Sequence, residues 1–531
     1  MKSSTHSRSC ASLVLLLMAA GAVVPAARAQ SGQLWRPEDR VLLTAYQELG
    51  AVALDLRRVY AASPYGIEVY DFVARRWEPP IASDDGYPSD EWPTALAYDA
   101  FLDALWLGTA SGGLYAYRLS FGQWERFALA RGAIERIVAD PALATDFLYL
   151  MAGGGWYRLR RGTSTLEPVP PDEVPRRGTS ALPGETDPVL EAQRGTLGLD
   201  ERLRRWPVTD IAPAELPGRY WLATAGGNLL YYDSRRMDAQ RFRFGLLSRG
   251  TGALASDGPA LWFGGDGRGP RRGVARSDVD LQDWTYFEPQ DDGAPAGYVY
   301  DILPTSGSVW FAASDGLYRY RRGEARWRRM IEGDGLPAGD ATALAPAEGG
   351  AWVGTRRGLV YVTEAGYVST PVLFPGQQIH DLLTSRDTLW IASDAGLWLL
   401  PLGEREPLRA PRAEEQPALS RRVTDARPAF GELFAITEEA LYRFDGARWH
   451  GPDREPARAG LGRLHTLAAA EGQLWLAGDG GVARWDASQR LWTYYLVHQD
   501  IPEGPVRDVL PAGADLWVST GGGALRLRWR H

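Results

Sequence analysis

Residues 105–118 read LWLGTASGGLYAYR, and residues 309–321 read VWFAASDGLYRYR. Working outward from these two phrases, the same aromatic anchor recurs at Tyr60, Trp106, Tyr149, Trp221, Trp262, Trp310, Trp352, Trp390, Phe434, Trp475 and Trp517. Neighbouring anchors stand 38 to 48 residues apart, with one gap of 72 between Tyr149 and Trp221. A period near 42 sustained over most of 531 residues marks a repeat architecture. Around Trp310 each pulse is short and rich in aromatic and β-branched residues: VYDIL (299–303), VWFAA (309–313), LYRYR (317–321) and RWRRM (326–330). Gly, Pro, Asp and Ser separate the pulses, which is strand punctuation. Four short strands per period predict an all-β protein, a β-propeller of about eleven four-stranded blades with almost no helix. Eleven blades exceed the usual ring, so the expectation is two tandem rings or one unusually large one, with a ring boundary at about 240–255.

The blades account for the composition. Twenty-one Trp is a large share. The anchors and the outer-strand Trp77, Trp124, Trp284, Trp327, Trp449 and Trp492 fit the packing between blade faces better than sugar binding. Glycines 66, 113, 316, 358 and 396 mark the turn between the second and third strands, where positive φ is expected. The last copy has room for three strands only, and residues 40–46 (RVLLTAY) form a lone strand before the first full copy. An N-terminal strand completing the C-terminal blade would remove an open edge. The Pro-rich stretch 166–189 belongs to a loop excursion at about 162–205 between blades.

Residues 1–29 read as a signal peptide. Lys2 and Arg8 precede an apolar run at 11–24, and Ala27-Arg28-Ala29 precedes a cut at Gln30. The repeats then fill 30–531. No later segment approaches a membrane span, so the mature chain is expected to be exported and periplasmic or extracellular, in a bacterium. Cys10 is the only cysteine. A net charge of −8 leaves no basic footprint for nucleic acid.

The phrases LWLGTASGGLYAYR, AWVGTRRGLVYV and LWLAGDGGVARWD resemble the two-component regulator propeller repeat family. So do the D-G-x-P turns Asp85-Gly86-Tyr87-Pro88, Asp292-Gly293-Ala294-Pro295 and Asp334-Gly335-Leu336-Pro337. The resemblance runs from about Arg40 to the C-terminus. It implies a sensing or cell-surface propeller, here free-standing, with no kinase part following.

Chemistry is sparser. The histidines after residue 30 (His380, His450, His465, His498 and His531) show no metal-binding spacing, so no metal and no cofactor is implied. The run 264–273 (GGDGRGPRRG) carries Arg268, Arg271 and Arg272, which could cradle an anion. Asp301, Asp381, Asp425 and Asp508 stand nine residues before their anchors, and Asp210 repeats the motif with a two-residue shift. These five are either a rim of like charge or acceptors for turn amides. The function expected is a non-enzymatic binding, sensor or scaffold module for a protein, glycan or small ligand, with a protein or cell-surface partner. The alternative is a propeller-type hydrolase or lyase at the channel mouth, which would need a His and two carboxylates in one pocket; His380 is the candidate.

Overall fold

The computed structural model describes residues 27–30, 35–36, 38–82, 86–89, 91–130, 132–139, 146–175, 188–369, 371–470 and 472–530. The signal-peptide core and Asp85 therefore lie outside the described residues. Among these, no helix is long and apolar enough to cross a membrane.

Eleven antiparallel sheets follow one another along the chain. Sheets 1 to 4 occupy 51–82, 93–129, 134–169 and 208–242. Sheets 5 to 11 occupy 251–287, 299–330, 343–363, 379–409, 425–453, 464–496 and 506–528. Most have four strands, as the four apolar pulses dictate. Sheet 7 has three, and the bridges Leu359–Leu373 and Val362–Val368 stand in for its fourth. Sheet 11 supplies three strands of its own, and Arg40–Leu43 pairs antiparallel with Gly523–Arg528 to complete it. A further strand, Ala27–Gln30, which holds the expected cleavage point, runs parallel to Leu491–Leu496 at the outer edge of sheet 10.

The first strand of each sheet packs on the first strand of its neighbour. From sheet 5 onward these contacts make a closed circuit of seven sheets: Thr251–Asp257 touches both Val299–Pro304 of sheet 6 and Val506–Ala512 of sheet 11. The other four follow in the order 3, 2, 1, 4. The far face of sheet 4 is covered by the helix Pro188–Leu197, whose Leu190 and Leu197 pack on Ile211, Leu222 and Leu230. The sequence pointed to a loop here, and the helix is the correction: its two buried leucines sit seven residues apart, on one helical face.

Large side chains fill the gaps between faces. Trp106, Trp262, Trp310 and Trp475 are at most 1% exposed, and the outer-strand Trp77, Trp284, Trp327, Trp449 and Trp492 are buried too. Trp352, Trp390 and Trp124 are half-buried. The second-to-third turns use left-handed backbone at Gly66, Gly316, Gly358 and Gly396. In sheet 2 that role falls to Gly112 rather than Gly113. The tightness of these turns is plain at Gly316, where a Cβ would lie 2.9 Å from the Met330 carbonyl oxygen.

Candidate functional site

The first strand of a blade is a sheet edge, so its outward N–H groups need partners that its own sheet cannot supply. The inner-strand aspartates meet that need. Asp301 accepts the N–H of Ile302 (2.8 Å) and that of Leu344 in the next blade (2.7 Å). Asp508 takes Val509 (2.8 Å) and Leu254 (2.8 Å), stapling sheet 11 to sheet 5 across the ring closure. Asp210 takes Ile211 (2.8 Å) and Val52 (2.9 Å). Asp425 takes Leu467 N–H (2.7 Å) and the Thr466 hydroxyl (3.0 Å). The amides bound are thus those of the neighbouring blade and of the following residue, rather than of a turn.

Asp381 differs. Both its oxygens pair with Arg427 of the next blade, which also lies 2.7 Å from Asp425. Burial, with repulsion from Asp381, pushes the Asp301 carboxyl up to about 7. Burial pushes Asp210 up to about 7 as well, and raises Asp508 and Asp425. Burial opposes charge on Arg427, but Asp381 and Asp425 outweigh it and hold the guanidinium charged. The structure therefore gathers Asp301, Asp381, Asp425 and Asp508 electrostatically around one arginine. Asp210 stands elsewhere, its nearest charges being Arg136 and Arg194.

Bulges decide what faces the channel mouth. In the inner strands the register slips by one residue immediately before Asp210, Asp301, Asp381 and Asp508, and again before Thr466. The extra residue in each case is Thr209, Tyr300, His380, Arg507 and His465. A bulge re-aims its side chain: Tyr300, His380, His465 and Arg507 meet second-to-third turns, while the Thr209 hydroxyl donates to the Leu49 carbonyl (2.8 Å). His380 Nε2 lies 2.7 Å from Asp394, and His465 Nε2 lies 2.7 Å from Asp479. Arg422 joins Asp394 (3.8 Å) to Glu438 (3.3 Å), and Arg463 reaches Asp479 (3.2 Å). Arg356 donates to the Tyr300 hydroxyl (3.1 Å), and Arg507 covers the Tyr298 ring at 5.3 Å. Burial holds the His380 imidazole below its usual range, against the pull of Asp394, so it is neutral at pH 7.

These turn residues escaped the sequence reading although the signal was present. Asp266, Arg356, Asp394, Glu438 and Asp479 each stand four residues after their anchor. Arg427 occurs in one copy only, so periodicity gave no hint of it.

The three arginines of 264–273 part company. Arg268 and Arg272 are exposed. Arg271 is buried between the rings of Trp206 (5.6 Å) and Tyr286 (5.5 Å), donating to Glu288 (2.6 Å) and to the Gly226 carbonyl (2.9 Å). Among the described residues no group of three or more His, Cys, Asp or Glu side chains could hold a metal ion.

No family profile and no curated protein matches the chain. Solved structures do match. One is the extracellular domain of the hybrid two-component system BT4673 from B. thetaiotaomicron, 15% identical, with a TM-score of 0.37 over 91% of this chain and 70% of that one. A second is the extracellular domain of BT3049 from the same organism, 13% identical, with a TM-score of 0.24 over 93% and 83%. A third is the Pan2 WD40 domain of Neurospora crassa, 12% identical, with a TM-score of 0.38 over 52% and 88%.

Proposed function

We propose that the protein is an exported, non-enzymatic binding module, a sensor or scaffold for a protein, glycan or small ligand, whose partner docks on the face carrying the second-to-third turns. One observation carries this reading: a collar of half-exposed charged and aromatic side chains, placed by bulges and turns at equivalent positions of successive blades. Loops and irregular backbone on a rigid scaffold are where recognition residues concentrate. Export rests on residues 1–29, and a periplasmic or extracellular location follows from it. The test compares wild type with a variant carrying Arg422→Glu and Arg463→Glu, and with Arg326→Glu on the opposite rim. Each is presented to a glycan array and to the native extracellular fraction. The collar variant is expected to lose specific capture while Arg326→Glu keeps it; identical capture by all three overturns the assignment.

A hydrolase or lyase reading is favoured by the neutral His380 held against Asp394, with Glu438 linked through Arg422. Turnover of a polysaccharide or ester panel, abolished by His380→Ala in a folded protein, would establish it over the binding reading.

A further inference from the structure

A cavity lies by the outer strands of sheets 4 and 5, where their second-to-third turns (Gly227, Asn228 and Arg271) meet the chain leading out of the helix Pro188–Leu197. Its volume is about 250 Å³, below the usual range for drug-sized ligands and suited to a smaller molecule. Five arginines and four carboxylates line it. Most of that charge is internally matched. Glu288 binds Arg204 (2.7 and 2.9 Å) and Arg271 (2.6 Å), and Arg202 binds Asp291 (2.8 Å) and Asp292 (2.7 Å). Arg243 pairs with Glu201.

Arg241 has no carboxylate. It donates to the carbonyl oxygens of Gly227 and Leu199, while Asp200 and Glu201, already bonded to Arg204 and Arg243, act on this half-buried cation only from a distance. Beside it stands Asn228, 3% exposed, whose Nδ2 has no acceptor among the described residues. The Nε of Arg271, which lines the same cavity, has none either. Buried donors without acceptors are rare, and each calls for an explanation. Asn228 has left-handed backbone (φ 69°), where glycine serves in many other turns of this protein. It is also the only asparagine in the chain. What the cavity lacks is a molecule carrying negative charge and several acceptor oxygens.

We propose that this cavity binds a small oxyanion, a carboxylate or a phosphate, whose oxygens accept from the Arg241 guanidinium and the Asn228 amide. Both sources share the planar or tetrahedral oxygen cluster that a guanidinium recognises. The site draws on sheets 4 and 5 together, so an occupant would join the four-sheet part of the chain to the seven-sheet circuit. The inference does not depend on the collar.

Titration calorimetry on the purified mature chain tests it, with D-glucuronate, inorganic phosphate and D-glucose as probes. Saturable binding of glucuronate or phosphate, but not of glucose, is expected, and the preferred anion identifies the source. Asn228→Gly keeps the left-handed backbone and removes the donor, and should weaken binding about tenfold. Arg241→Gln should abolish it, and Arg326→Ala, exposed on sheet 6 and outside the cavity, should leave it unchanged. Should Arg241→Gln fail to fold, Asn228→Gly decides alone. Absence of binding by either anion, equal binding of glucose, or unchanged affinity in Asn228→Gly overturns the proposal.

Discussion

Asp508→Ala removes the staple that joins the last sheet to the first of the seven-sheet circuit. Two N–H groups, of Leu254 and Val509, lose their acceptor at an inner-strand edge. A buried donor left unpaired costs about 1–3 kcal/mol. The loss is offset in part because burial and the Asp381 charge already press on the Asp508 carboxyl. A net local cost of about 2 kcal/mol is expected, which is roughly thirtyfold in the opening equilibrium. Hydrogen exchange followed by mass spectrometry reads this directly in the strand Thr251–Asp257, with Ile379–Ser385, which lies elsewhere in the circuit, as the internal control. Asp508→Asn keeps one acceptor and should show about half the effect on a logarithmic scale. Unchanged exchange in Thr251–Asp257 for Asp508→Ala would refute the staple, as would an equal acceleration in both strands.

Trp310 is fully buried between sheets 6 and 7, so Trp310→Ala should cost about 3–5 kcal/mol. An unaltered melting temperature would contradict that packing. Arg427→Met leaves Asp381 and Asp425 facing each other and should cost about 3–5 kcal/mol in urea unfolding. Adding Asp381→Asn should recover much of it, and a double variant no better than the single would count against the bridge. Asp210 and Asp301 titrate near 7 in the fold against an ordinary 3.8, so the folded state holds these protons more tightly than the unfolded chain. Their stabilisation is complete below about pH 4 and is lost as pH rises through about 7, so melting should occur at a lower temperature at pH 8 than at pH 6. Asp301→Asn should flatten that slope, and a slope identical to wild type would rule the assignment out.

Sequence and structure agree where the determinants are local. Strand periodicity, the aromatic anchors and the short last copy are all written within a few residues of where they act. The missing outer strand is supplied by Arg40–Leu43 for the same reason, since an unpaired edge in one place and a lone strand in another need each other. What escaped depends on which blades share a circuit. Asp210 and Asp425 stand in the same VTD phrase, yet only Asp425 meets Arg427. The bulge that turns His380 toward Asp394 while Asp381 turns to Arg427 leaves no mark in composition. The helix Pro188–Leu197 buries only two residues, too few for a periodic signal. The peripheral cavity is assembled from segments around residues 200, 228, 241, 271 and 288, and no window of sequence spans it.

The pairing of Arg40–Leu43 with Gly523–Arg528 makes the four-sheet part a passenger. The chain lays down the latch of the seven-sheet circuit, leaves to build sheets 1 to 4, then returns to begin that circuit at Thr251. Its outgoing and returning limbs run side by side, with Leu246 N–H bonded to the Thr44 carbonyl (2.8 Å) and Tyr46 stacked on Phe244 at 5.8 Å. During synthesis the latch leaves the ribosome early and waits about 480 residues for its partner strand. The long wait adds only logarithmically to the entropy of closing the loop, but until it ends sheet 11 keeps an open edge. Assembly of the circuit is therefore gated by Gly523–Arg528, and a chain truncated before Gly523 would have a latch with nothing to close on.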